Sequence, residues 1–129
     1  MTGPARAGLF VYAKDMPRLA AFYADIAGLR PLHTTESLTV LGGTDLQLLV
    51  HRIAPDIAAA IAITVPPQRR DNTALKFFFS VPQLARAIER IEALGGLGFS
   101  SRWDGPGFVM CDACDPEGNV FQLREWRPT

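Results

Sequence analysis

Histidine and cysteine are scarce here, two of each in 129 residues, which leaves little material for a metal centre built on imidazole and thiolate. Cys111 and Cys114 form a lone C-x-x-C with no second pair and no neighbouring histidine. They lie in a stretch, Val109 to Pro116, that reads as a strand running into a turn, whereas a redox dithiol motif opens a helix. Two buried thiols are the plainer reading. Excess charge is also missing. Thirteen basic and thirteen acidic side chains cancel and are scattered, so there is no electrostatic footprint for nucleic acid or an anionic membrane. No apolar run is long enough to span a bilayer, and Met1 to Ala7 lack the basic region, apolar run and cleavage site of a secretory signal. These absences predict a cytoplasmic protein whose partner is a small molecule or another protein.

What is present is apolar surface, 48% of residues, enough for one compact domain with a continuous core. The order of features repeats. Gly8-Leu9-Phe10-Val11-Tyr12-Ala13 reads as a strand and leads into a helix that stops at Gly28, followed by further strands. Lys76-Phe77-Phe78-Phe79-Ser80-Val81 begins the same plan again, with a helix stopping at Gly95-Gly96. Module one is placed at about residues 8–52, a connection at about 53–74 and module two at about 75–127.

Within the first helix Met16, Leu19, Phe22, Tyr23 and Ile26 recur at helical spacing, with Asp15 as N-cap. In the second, Leu84, Ala87, Ile88, Ile91 and Leu94 share a face, and Arg86, Glu89, Arg90 and Glu92 fall outside it. Each helix should therefore lie on a sheet. The connection is ambiguous: Ile57, Ile61, Ile63 and Val65 suit an extra strand, and Ala58 to Ala60 suit a short helix. Arg69 and Arg70 read as a solvated basic turn.

The strand, the helix carrying Asp15 and Phe22-Tyr23, the glycine stop and the late Asp115-Pro116-Glu117-Gly118-Asn119 turn before Val120-Phe121-Gln122-Leu123 together resemble the vicinal oxygen chelate superfamily of glyoxalases, bleomycin-resistance proteins and dioxygenases. The likeness runs from about Gly8 to Trp126. It implies an α+β fold in which two βαβββ modules form a curved mixed-sheet cup, where periodicity alone also allows a ferredoxin-like α+β arrangement. It also implies a homodimer. In that family's pattern the metal ligands fall at Gly8, Gln47, Lys76 and Gln122. Glycine offers no donor, a protonated lysine repels a cation, and neutral amides are weak ligands. No metal ligand and no cofactor is therefore predicted.

Strand alternation divides the side chains into two sets. Leu9, Val11, Ala13, Phe77, Phe79 and Val81 should pack under the helices, and the opposite set should line the cup. Its ligand-binding candidates are Phe10, Gln47, Lys76, Phe78, Gln122, Arg124 and Trp126, an aromatic, amide and cationic mixture suited to a small aromatic or anionic ligand. Lys76, Tyr12 and His51 are the acid, base or nucleophile candidates. Bland readings stand beside these: Phe10 and Phe78 as generic core, Lys76 snorkelling to water, His51 solvated, the two glutamines bonding each other or nearby backbone. Against them, the matched positions Gly8 with Lys76 and Gln47 with Gln122 let the two amides flank the Lys76 ammonium or a bound anion. The composition points first to a metal-independent small-molecule-binding protein. A lyase, isomerase or dioxygenase-like enzyme, with Lys76-centred chemistry or metal recruited in an unanticipated way, or an interaction subunit with a vestigial cup, is the alternative.

Overall fold

A computed structural model describes residues 5–128; residues 1–4 of the N-terminal stretch read above for a secretory signal, and Thr129, lie outside it. The chain divides into two compact units, one reaching Ala62 and one starting at Ile63. The first holds β1 (Ala7–Ala13), α1 (Met16–Ile26), β2 (Arg30–Thr34), β3 (Leu38–Gly42), β4 (Leu46–Arg52) and the short α2 (Pro55–Ala58). The second holds β5 (Phe78–Val81), α3 (Leu84–Ala93), β6 (Leu97–Gly98), β7 (Trp103–Gly105), β8 (Phe108–Cys114) and β9 (Val120–Trp126).

Both units follow one plan. Module one forms a four-stranded sheet in the order β1-β4-β3-β2, with β1 parallel to β4 and the other pairs antiparallel. In module two β5 runs parallel to β9, which pairs with β8, and β6 and β7 both lie antiparallel along β8 as two pieces of one interrupted strand. Each is thus a βαβββ module, as the duplication predicts.

The helical stripes decide what is buried. Leu19, Phe22 and Tyr23 of α1 are fully enclosed with Val11, Ala13, Leu48 and Val50 of the sheet. Asp15 caps α1 by accepting a hydrogen bond from the Arg18 amide at 3.2 Å, and Gly28 takes the φ of +64° that ends the helix at no steric cost. In module two Leu84, Ala87 and Ile91 of α3 are buried, as are Phe79, Cys111, Phe121 and Leu123. Gln83 supplies no side-chain cap for α3. Glu125 of β9 does so instead, its Oε1 accepting from the Leu84 amide at 2.7 Å while Oε2 accepts from Arg127 Nε at 2.9 Å. The backbone N–H first, and Arg127 second, hold the Glu125 carboxyl below its ordinary range.

Two expectations need correction. Residues 55–58 are helical, so the extra-strand reading of the connection fails: Pro55 fits the first helical turn, and Ile57 and Val65, at 59% and 88% exposed, gain nothing from a sheet position. Lys76 precedes its strand, because β5 begins at Phe78, although the Gln122 amide donates to Phe77 O at 2.9 Å and carries the pairing one residue back. Among the described residues no helix is long and apolar enough to cross a membrane.

Candidate functional site

Register places the polar candidates of module two on one sheet face. Phe78 lies opposite Gln122, Asp112 opposite Gln122, Met110 opposite Arg124, and Phe108 opposite Trp126. The reverse face carries the core under α3, so this face is free to present its side chains. Phe78 and Trp126 are 49% and 67% exposed, which overturns the generic-core reading of Phe78. Arg124 packs its guanidinium against two rings, its Cζ 3.7 Å from the Phe78 ring centroid and 4.6 Å from that of Phe108. Guanidinium is weakly hydrated and planar, so it stacks on rings where an ammonium would keep its water. Its Nε donates to Gln122 Oε1 at 2.8 Å. Among the described residues its terminal nitrogens make no hydrogen bond, so their N–H groups remain unpaired donors in a fork geometry.

Lys76 Nζ donates to Asp112 Oδ2 at 2.8 Å, and its side chain is 46% exposed rather than desolvated. Asp112, with 6% of its surface accessible, is the candidate site residue that sequence reasoning missed. Its Oδ1 is buried without a hydrogen-bond partner, a state that costs about 1–3 kcal/mol for an unmet acceptor. Ion pairing to a buried carboxylate leaves the Lys76 amine neither a free base nor a free nucleophile.

Beside this pair the connection folds onto the end of β9. Arg70 N donates to Gly118 O at 2.9 Å and bridges Asn119, fixing the segment from Arg69 to Lys76 over the sheet. Gly118, at φ +88°, permits the approach, since a Cβ there would sit 2.0 Å from Gln68 O. Asp115 orders the turn by accepting from the Glu117 amide at 2.8 Å and the Asn119 amide at 3.1 Å. The result is a cleft of about 180 Å³ whose lining includes Arg69, Arg70, Thr73, Lys76, Asp112 and Val120. Arg69 pairs with Asp71 and lies 4.2 Å from the Phe99 ring centroid, while both members of the pair stay exposed, at 44% and 66% of their side-chain surface, as a solvated turn should.

Module one presents its own face. Gly8 lies opposite Gln47, Phe10 opposite Leu49 and Tyr12 opposite His51 across the parallel β1–β4 pair. Phe10, 53% exposed, stacks on Tyr12 at 6.2 Å, and Tyr12 tilts over His51 at 5.6 Å. His51 Nδ1 lies 2.8 Å from its neighbour's carbonyl, Arg52 O, so that nitrogen carries the proton and donates. Tyr12 and His51 are therefore brought together, and Phe10, like Phe78, lies outside the core.

The donor chemistry at the four family ligand positions does not fit a divalent cation. Gly8 carries no donor, the Lys76 ammonium is ion-paired, and the Gln122 amide oxygen is taken by Arg124. Among the described residues no three His, Cys, Asp or Glu side chains cluster as a metal site. Cys111 and Cys114 are free and buried, and three residues apart on a strand they face opposite sides. Burial foremost pushes both thiols up from their ordinary value.

Paired βαβββ modules, each with its first strand parallel to its last, define the glyoxalase and bleomycin-resistance class of folds. The profile of the glyoxalase-like domain matches residues 8–124, and the chain belongs to that family. Solved structures agree at the level of fold. A glyoxalase/bleomycin resistance protein/dioxygenase family enzyme from Burkholderia phytofirmans is similar with a TM-score of 0.68 and 14% identity, over 92% of this chain and 96% of that one. The fosfomycin resistance protein FosX from Listeria monocytogenes is similar at 0.62 and 19% identity, over 100% and 94%. Lactoylglutathione lyase from Agrobacterium tumefaciens is similar at 0.61 and 22% identity, over 96% and 95%. No curated protein matches significantly.

Proposed function

We propose that this protein is a metal-independent small-molecule-binding protein of the glyoxalase and bleomycin-resistance type, and that the module-two face takes an aromatic anion. The observation that carries the reading is the Arg124 guanidinium, packed against the rings of Phe78 and Phe108 and bonded to Gln122. Its terminal N–H groups meet a carboxylate or sulfonate, and the exposed rings of Phe78 and Trp126 receive the ligand's aromatic part. Phe10 and Gln47 give module one a face of the same character. The engagement of Lys76 by Asp112 supports binding over a lysine-centred lyase or isomerase reaction.

Naphthalene-1-sulfonate titrated into chelator-treated protein should quench tryptophan fluorescence, since Trp126 is exposed on this face. Arg124→Met should weaken binding at least ~10-fold, the loss of about one charge-assisted contact. Binding that requires added Ni, Zn or Mn, or chemical conversion of the probe, refutes the proposal.

A further inference from the structure

We propose that the cleft between the connection and β8–β9 of module two is a separate binding site for a small hydroxycarboxylate. The proposal does not rest on the aromatic-anion reading, because neither Phe78 nor Arg124 lines this cleft, although Asp112 lies opposite Gln122 at its border with the stack.

Size sets the first limit. A cleft of about 180 Å³ is slightly larger than the ~150 Å³ cavity that accepts benzene, so its ligand has on the order of six to ten non-hydrogen atoms. Charge sets the second. Arg69 is matched by Asp71 and Lys76 by Asp112, and among the described residues Arg70 makes no ion pair. One uncompensated cation calls for a monoanion. A carboxylate meets that need, whereas a phosphate monoester brings about −1.5 to −2 charges. Arg70 is also fixed by its own backbone, through the bond from its amide to Gly118 O at 2.9 Å.

Asp112 sets the third limit. Its Oδ1 lacks a donor, and its Oδ2 already holds the Lys76 ammonium at 2.8 Å. A second cation beside Lys76 would be repelled, so the missing donor is neutral, and a hydroxyl supplies it. Val120 gives an apolar wall for the carbon between the hydroxyl and carboxylate groups. The features combine into one ligand pattern: carboxylate on Arg70, hydroxyl on Asp112, short carbon chain between them.

Isothermal titration with sodium glycerate tests this against propionate, glycerol and inorganic phosphate. Glycerate should bind at least ~10-fold more tightly than propionate, because a site built to bond a hydroxyl rejects the analogue that lacks it. Glycerol, without the anion, should show no binding. Arg70→Gln should weaken glycerate at least ~10-fold and leave naphthalene-1-sulfonate binding unchanged, which also shows that the variant is folded. No binding of glycerate, equal binding of glycerate and propionate, tighter binding of phosphate, or unaltered glycerate binding by Arg70→Gln each overturns the proposal. Loss of both probes in folded Arg70→Gln overturns the separateness of the site. The glycerate–propionate ratio tests Asp112 in unmutated protein, so the test does not depend on whether Asp112→Asn folds.

Discussion

Replacing Lys76 with methionine keeps most of the apolar stem of the side chain and removes the ammonium, its charge and its N–H donors together. Asp112 then loses the one hydrogen bond recorded for Oδ2 and, with Oδ1 already unmatched, becomes a buried carboxylate with neither oxygen bonded. Breaking a fully buried ion pair from one side costs about 3–5 kcal/mol. Lys76 is 46% exposed, so water reaches the vacated position and the expected cost falls to about 1.5–3 kcal/mol. With a urea m-value of about 2 kcal/mol/M, the unfolding midpoint should drop by roughly 1 M. The same substitution combined with Asp112→Asn should cost at least ~1 kcal/mol less, because a neutral amide tolerates the loss of the ammonium. Urea titration followed by tryptophan fluorescence measures all four proteins of the cycle. Equal costs of Lys76→Met with and without Asp112→Asn would refute the assignment of a coupled, partly buried pair.

Gly118→Ala must leave its +88° backbone conformation or displace Gln68 O, so it should lose at least ~2 kcal/mol and expose the Arg70 amide to faster hydrogen exchange, read by NMR. The lowered carboxyl of Glu125 contributes stability that is complete above the ordinary carboxylate value of about 4.3 and is lost as pH falls through its folded value. The stability gap between the protein and Glu125→Gln should therefore stay level from about pH 7 to 5 and close in stronger acid, as measured by urea unfolding at each pH.

Local periodicity made the modules legible. The stripes of Met16 to Ile26 and Leu84 to Ile91 are the buried faces of the two helices, and Gly28 ends the first where its φ is positive. Alternation also sorted the strands correctly, with Val11 and Ala13 inward and Phe10 and Tyr12 outward. The candidate site was legible only in part. Outward aromatics can be named from parity, yet whether Phe78 would be covered depends on what packs above it. Asp112 was hidden inside the C-x-x-C spacing, although its alternation with Phe108 and Met110, opposite Gln122, was a usable signal. Its pairing with Lys76 spans 36 positions, beyond the reach of local patterns. The closure of the basic turn onto Phe99 and Gly118 was equally out of reach, because it joins Arg69 and Arg70 to residues far along the chain.

The bond between Arg70 and Gly118 joins segments about 48 residues apart, and so long a closure costs conformational entropy that a local contact does not. The cleft is thus a property of the finished module. Arg70 acquires its position when the turn before β9 docks, and a chain cut short of Gly118 retains every cleft cation without the geometry that aligns Arg70. A molecule captured there discriminates complete chains from truncated ones and, by mass action, draws the last strand into place.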